Sequence, residues 1–105
     1  MAGSDSERRS PPNDLGTWQG HLSTPFRVHV EDSHFVDVEL IEVKELQNHG
    51  GPREQPFSLL FRTPKTNQLP QRMYDVQHET LGEFVLFLVP VLPDEEFNYH
   101  ESVFN

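Results

Sequence analysis

The sequence predicts a small all-β protein, an antiparallel barrel or sandwich of about six strands that follows a disordered N-terminal tail. Apolar and polar residues alternate with a period of two in several segments after residue 26, the pattern of a strand with one buried face. Residues that favour turns separate these segments at short intervals. Nowhere do apolar residues recur with the spacing of a convincing amphipathic helix. These three observations place the chain in the all-β class.

The first 15 residues differ in composition from the rest of the chain. They are mostly Ser, Pro, Asp, Arg and Asn, with almost no apolar side chains to offset the entropy lost on ordering. We therefore expect a disordered tail over 1–15 and a single all-β domain over 16–105, a length typical of one domain. Trp18 is expected to cap one end of the core, in preference to serving as an exposed aromatic contact.

Two strands are predicted next, with a turn at Asp32-Ser33 between them. Residues 26–30 alternate regularly, and so do residues from 36 onward until the pattern changes phase at Leu40-Ile41. One extra residue of this kind indicates a β-bulge, which bends a strand. A helix over 39–47 is the competing interpretation, but the β-branched residues there favour a strand.

Four further strands are predicted around 57–61, 74–78, 84–89 and 99–104, with loops over 47–55 and 63–71. The fifth strand is apolar on both faces, which indicates a central strand covered on both sides. Pro90 has no N–H, so pairing should stop or change edge there. Alanine at Phe87 or Leu88 is expected to cost about 2–5 kcal/mol. The predicted core residues are Phe57, Leu59, Phe61, Leu86, Leu88 and Val103.

Composition excludes several classes of function. Without cysteine the chain has no disulfide, no thiolate metal site and no cysteine nucleophile. The formal net charge of −9 disfavours nucleic acid and anionic membranes as partners. The N-terminus lacks the apolar segment of a secretory signal, and the longest apolar run, Phe84 to Val91, is far shorter than the roughly 20 residues that span a membrane. We expect a cytoplasmic protein with no nucleic-acid or membrane partner.

Histidine and acidic residues gather at the first predicted turn and suggest a metal site. Their nitrogen and oxygen atoms suit zinc or a similar ion, but they show no recurring ligand spacing, so a solvated polar turn is favoured. The residues of this cluster are His29, Glu31, Asp32 and His34.

Elsewhere the chain shows no pattern of catalytic residues. His78 shares a strand face with Tyr74 and Val76, and we interpret it as a partly buried histidine that is hydrogen-bonded within the sheet. There is no glycine-rich phosphate loop and no serine in a nucleophile elbow. We therefore predict no catalytic residues, no metal ligands and no cofactor, and we expect that the protein is not an enzyme.

Basic residues are concentrated around one strand and one loop. Four of the eight Lys and Arg lie there, and Glu54 is the one acidic residue in the same stretch. If the strand ends meet, they form a basic spot for docking an acidic partner or another copy of the chain. The alternative is charge balance against Glu39, Glu42 and Glu83 on neighbouring strands. The candidate docking residues are Arg53, Arg62, Lys65 and Arg72.

Four segments together resemble a known family. They are residues 54–62, 69–74, 81–91 and 102–105, which resemble a pattern of E-x-F-S-L-L-F, L-P-Q-x-x-Y, G-x-x-x-L-F-L-V-P-V and a Y-E-A-V-F-N ending. The combination, over about 17–105, resembles a family of small bacterial proteins grouped as a domain of unknown function. The resemblance implies a small β fold and an association with phage-tail-collar-like proteins. His100 stands where the family pattern has tyrosine.

These expectations favour a non-enzymatic protein-interaction or assembly module, accessory to a phage-tail-like particle, whose partner is another protein or a second copy of the chain. Exposed strand edges would allow strand addition by such a partner. One alternative is a β-barrel that binds an apolar small molecule in its interior, which requires a cavity. A less favoured alternative is a metal-dependent enzyme that uses the 29–34 cluster.

Overall fold

A computed structural model describes residues 9–47 and 55–105 of the protein. This part of the chain contains one short helix and six strands, so the all-β prediction is confirmed. In chain order the elements are α1 (Leu15–Gln19), β1 (Pro25–Glu31), β2 (His34–Glu45), β3 (Phe57–Pro64), β4 (Arg72–His78), β5 (Gly82–Val91) and β6 (Phe97–Phe104). None of the described residues belongs to a helix long and apolar enough to cross a membrane.

The six strands form a closed barrel in the order β1-β2-β3-β6-β5-β4, and every neighbouring pair is antiparallel. The ring closes where β4 pairs with β1. Of the two architectures that the alternation allowed, the structure is therefore the barrel. Closure also removes most of the exposed strand edges that a partner strand would need.

Two predicted irregularities lie where the sequence indicated them. The register between β2 and β3 shifts between Leu40 and Glu42, which confirms the bulge and excludes the competing helix. β5 pairs with β4 as far as Leu88 and with β6 from Val89 onward. The expected change of edge at Pro90 is thus confirmed, one residue earlier.

The core fills the inside of the barrel, and Trp18 caps one end. Its indole lies 5.8 Å from the ring of Phe26, 5.7 Å from Phe84 and 5.9 Å from Phe104. Phe104 in turn stacks on Phe57 at 4.6 Å. The predicted core position of Trp18 is confirmed. So are those of five other residues, all fully or almost fully buried: Phe57, Leu59, Phe61, Leu86 and Leu88.

Val103 and Phe87 differ from their predicted positions, because each lies on the outward face of its strand. Val103 is 49% exposed and Phe87 is 43% exposed. Phe104 stacks inside the barrel, so the even-numbered residues of β6 near the end of the strand point inward. Because side chains alternate along a strand, Val103 points outward. β5 is likewise buried on both faces at Phe84–Leu86 but not at Phe87.

The N-terminal segment also differs from the prediction, because residues from Arg9 onward contact the barrel. The Val85 amide donates to the Arg9 carbonyl at 3.1 Å, and the Trp18 indole donates to the Pro12 carbonyl at 2.8 Å. Asp14 caps α1 by accepting from the Thr17 amide at 3.0 Å. Residues 9–15, which fall within the predicted tail, thus contact the barrel in this structure, and residues 1–8 lie outside the described part.

Candidate interaction surface

His78 is a buried histidine with every ring nitrogen satisfied. Its Nδ1 accepts from the amides of Thr80 and Leu81 at 3.0 and 3.1 Å, so the proton lies on Nε2. Nε2 donates to the Thr24 hydroxyl at 3.0 Å, and that hydroxyl donates to the His21 carbonyl at 2.6 Å. Burial, with a smaller effect of His21, lowers the pKa of His78 against the opposing effect of Glu79. This arrangement holds a turn in place and agrees with the predicted structural role.

His100 is more completely buried, and one of its nitrogens lacks a hydrogen bond. Burial lowers its pKa, and a hydrogen bond to the Leu69 backbone opposes this effect. Nδ1 is enclosed without a partner among the described residues. A cleft lined by Leu69, Pro70 and Tyr99 lies beside the ring. His100 fills an inward position of β6.

The predicted His29–His34 cluster lies at the hairpin between β1 and β2. His29 Nε2 hydrogen-bonds the Asp32 carbonyl, its ring lies 5.1 Å from that of Phe35, and Glu31 is opposite His34 in the register. Over residues 9–47 and 55–105, no three His, Asp or Glu side chains are close enough together to hold a metal ion. The structure therefore places this cluster in a polar hairpin.

Arg62 and Lys65, two of the predicted docking residues, are engaged locally. Arg62 pairs with Glu39 at 2.9 Å, and its guanidinium lies 4.4 Å from the centre of the Phe97 ring. Lys65 donates to the Asp94 carbonyl at 2.5 Å. The alternative of charge balance is thus realised at Arg62 through Glu39, one of the three acids proposed for it.

These basic residues are not brought together at one site. Arg72 donates to the Val30 carbonyl at 2.7 Å and lies 4.9 Å from the Tyr74 ring. It begins β4, which is opposite β3 and Arg62 in the ring of six strands. Arg53 lies outside the described residues. A docking role for the four residues stays a prediction, without the single basic spot on which it depended.

Several apolar side chains that are exposed or half-buried lie on the outward faces of β4, β5 and β6. Met73 and Phe87 are directly opposite each other in the β4–β5 register, and Met73 is 53% exposed. Val89 follows on the outward row of β5, and Val103 is on β6. We call Met73, Phe87, Val89 and Val103 the apolar face. Exposed apolar surface of this kind marks interaction sites more often than scattered single residues do.

Acidic residues border the apolar face. Asp75 is the next outward residue on β4, Glu83 begins the outward row of β5, and Glu101 is opposite Val89. In the described part of the chain no ion pair joins Glu83 or Glu101 to a basic side chain. The surface therefore combines an apolar centre with a negative border.

Sequence reasoning missed this surface, although a signal was present. The alternation of β4 puts Tyr74, Val76 and His78 inward, so Met73 must point outward. An apolar residue on the polar phase of a strand is the signal. The prediction treated Phe84–Val89 as buried on both faces. It therefore did not distinguish the outward Phe87 from its buried neighbours.

The fold and this surface define a class: a closed six-stranded antiparallel barrel with a filled interior and an acidic-bordered apolar face on its wall. The particular family follows from the sequence, because the model of a family described as "Domain of unknown function (DUF6916)" matches residues 14–104. The chain belongs to this family, and the resemblance to a domain of unknown function is confirmed. No curated protein and no solved structure matches the chain.

Proposed function

We propose that the protein is a non-enzymatic interaction module that binds a partner protein through its apolar face, as an accessory component of an assembly such as a phage-tail-like particle. The exposed Met73–Phe87 pair carries this proposal. Fully burying one such side chain contributes about 1.5–3 kcal/mol. Because Met73 and Phe87 are each about half exposed, covering the exposed parts of both should contribute roughly the same amount in total. Aromatic and methionine side chains are also enriched at protein interfaces.

The negative border indicates the chemistry of the partner. Glu83 and Glu101 favour a partner whose apolar contact is flanked by Lys or Arg. A second copy of this chain would bring the same acidic border and another net charge of −9 against it. Charge therefore favours a different, basic partner over self-association.

The filled interior supports an outer-surface function over the ligand-binding alternative. Large side chains that are almost fully buried occupy the inside of the barrel, among them Phe26, Phe61, Tyr74 and Leu88. A barrel of this size holds either side chains or one small ligand. The metal-dependent alternative gains no support from the hairpin at His29–His34, where His29 is engaged with the Asp32 backbone.

The test compares Met73→Gln combined with Phe87→Gln against Phe35→Gln, which changes an outward phenylalanine of similar exposure, 38%, on another part of the barrel. A partner co-purified from the native host is identified, purified and titrated against each variant by calorimetry. We expect the double variant to bind about tenfold more weakly or worse, a loss of about 1.4 kcal/mol, and the control to bind normally.

Equal unfolding midpoints in urea would show that both variants are folded. The proposal is wrong if the partner binds the double variant as tightly as the original protein. It is also wrong if the protein remains a strict monomer and no stoichiometric partner co-purifies.

A further inference from the structure

The two ends of the barrel are closed in different ways. Trp18 fills the end at which β5 begins and β6 finishes. At the opposite end, where β3 and β5 finish, the loop of residues 65–71 covers the core with Leu69, which is buried. This second cover is incomplete, because Pro90 follows Leu88 on the inward row of β5 and is nevertheless exposed. The second end is therefore the mouth of the barrel.

A cleft opens at this mouth, between the 65–71 loop and the turn that joins β5 to β6. Its volume is about 280 Å³, just below the roughly 300–1,000 Å³ of typical ligand pockets and well above the about 150 Å³ that holds one benzene ring. None of the described residues that line it is Asp, Glu, Lys or Arg, although the formal net charge of the chain is −9. We call it the mouth cleft, and its walls include Leu69, Pro70, Pro90, Pro93, Tyr99 and His100.

The walls of the mouth cleft are fixed by hydrogen bonds and by proline rings. The side-chain amide of Asn98 donates to the Asn67 carbonyl at 2.6 Å, which ties the 65–71 loop to β6. The Tyr99 hydroxyl donates to the Asp94 carboxylate, so the ring of Tyr99 remains as an apolar wall. The lining prolines have a fixed φ angle. Because these walls are ordered beforehand, little entropy is lost in ordering them when a ligand enters.

His100 gives the mouth cleft a hydrogen-bond acceptor that has no partner. The residue is 1% exposed, and its Nδ1 is the one buried side-chain nitrogen or oxygen without a hydrogen bond in residues 9–47 and 55–105. Burial lowers the pKa of His100, and the bond to the Leu69 backbone raises it, which identifies the ring as the donor and a carbonyl as the acceptor. A neutral ring that donates through Nε2 carries a lone pair on Nδ1. A buried acceptor of this kind calls for a donor.

We propose that the mouth cleft binds a small uncharged molecule of one or two rings, which donates an N–H or O–H hydrogen bond to His100 Nδ1. Its rings would pack against Tyr99 and the prolines. The lining offers no counter-charge, so a ligand that carries a carboxylate or an ammonium group would lose hydration without compensation. A small adjustment of the lining admits the donor to Nδ1, since side-chain changes on binding are common. The site lies apart from the filled interior and the apolar face, so it does not depend on the proposed function.

The test uses the full chain, isotopically labelled for NMR, and three probes. Indole carries one N–H group. Benzofuran has the same shape but an oxygen in place of that N–H, so it cannot donate, and indoleacetate adds a carboxylate to indole. Long-range proton–nitrogen spectra follow the ring nitrogens of His100 during each titration and also give the affinity. The ring of His78, whose nitrogens both have partners, is the internal control.

We expect indole to bind saturably and to shift the Nδ1 signal of His100, while the ring nitrogens of His78 stay unchanged. Benzofuran and indoleacetate should bind about five- to tenfold more weakly, or worse, since benzofuran lacks the hydrogen bond and indoleacetate brings an unpaired charge. His100→Phe keeps a ring and removes the acceptor, so it should bind indole and benzofuran equally. His21→Phe, which changes a histidine beside His78, should behave as the original protein does.

Three results would overturn this inference. Equal affinity of the original protein for indole and benzofuran would mean that Nδ1 receives no donor. An unshifted His100 ring in the indole complex would mean that the probe lies elsewhere. If no probe saturates, the mouth cleft is not a ligand site. These measurements on the original protein decide the matter even if His100→Phe fails to fold, and none of them involves Met73 or Phe87, so the proposed function stands or falls separately.

Discussion

Thr24 and His78 are 54 positions apart in the chain and share a hydrogen bond of 3.0 Å. The bond joins the segment that leads into β1 to the end of β4, the two strands that close the barrel. Because Nδ1 of His78 accepts two backbone amides, the arrangement requires a neutral ring. Protonation would turn this acceptor into a donor and oppose both amides.

Folding stability should therefore fall as the solution is acidified through the histidine range. The pKa of His78 is lowered by burial and by His21, and burial lowers the pKa of His100 as well. Between the lowered folded values and the usual value of about 6.5, the unfolded chain binds more protons. The stabilisation is complete above about pH 6.5, declines as pH falls below it, and levels off below the folded pKa values.

Urea unfolding at intervals from pH 8 to pH 5 measures this dependence. This pH range lies above the one in which Asp14 and Asp94 take up protons, because the pKa values of both carboxyl groups are lowered. Their contribution to stability would be lost only at lower pH. The variant His78→Gln should show a smaller change over the same range. A pH profile identical to that of the original protein would contradict the role given to His78.

Removing Arg62 should destabilise the protein more than removing Arg27. Arg62→Ala loses a 2.9 Å ion pair with Glu39 and the contact with the Phe97 ring. Because these groups are partly exposed, the loss of both contacts should lower the free energy of unfolding by about 1 kcal/mol. Arg27 is the matched control, since its pair with Asp37 is longer, at 3.8 Å, and more exposed. Its loss should cost roughly 0–0.5 kcal/mol. Equal free energies of unfolding for the two variants would exclude this difference.

Adjacent residues of β5 should respond very differently to alanine. Leu88 is fully buried, and Leu88→Ala should lower the free energy of unfolding by about 2–5 kcal/mol. Phe87→Ala removes a half-exposed ring from the outer wall and should cost roughly 1 kcal/mol or less. Chemical denaturation of both variants measures this contrast. A loss at Phe87 as large as that at Leu88 would mean that the outward face of β5 is covered.

Trp18 should stabilise the fold both by packing and by its indole hydrogen bond to Pro12. Trp18→Ala should cost about 3–5 kcal/mol, because it removes a fully buried ring that contacts Phe26, Phe84 and Phe104. Trp18→Phe keeps part of that packing but leaves the Pro12 carbonyl without its donor. It should lower the free energy of unfolding by about 1–3 kcal/mol. Circular dichroism during thermal unfolding ranks the variants, with exposed Leu22→Ala as the control. A ranking of Trp18→Phe below Trp18→Ala would refute the packing argument.

Local patterns predicted the strands well because alternation and turn residues act over a few positions. The bulge after Leu40 and the change of partner near Pro90 were predictable for the same reason. The orientation of Val103 was not, because it depends on Phe104 stacking against Phe57, a contact between residues far apart in sequence. The docking of Arg9 likewise depends on its contact with Val85, which is distant in sequence. The apolar face requires the register of three strands, which no local pattern specifies.

Barrel closure between β1 and β4 has a kinetic consequence. The pairs that complete the ring, such as Arg27 with Gln77, join residues some fifty positions apart, and the β3–β6 contacts also span long stretches of chain. Bringing such distant residues together loses chain entropy before the contacts form, so topologies rich in them fold slowly. Despite its modest length, this protein should refold on the millisecond-to-second scale of β-barrels rather than on the microsecond scale of small helical bundles.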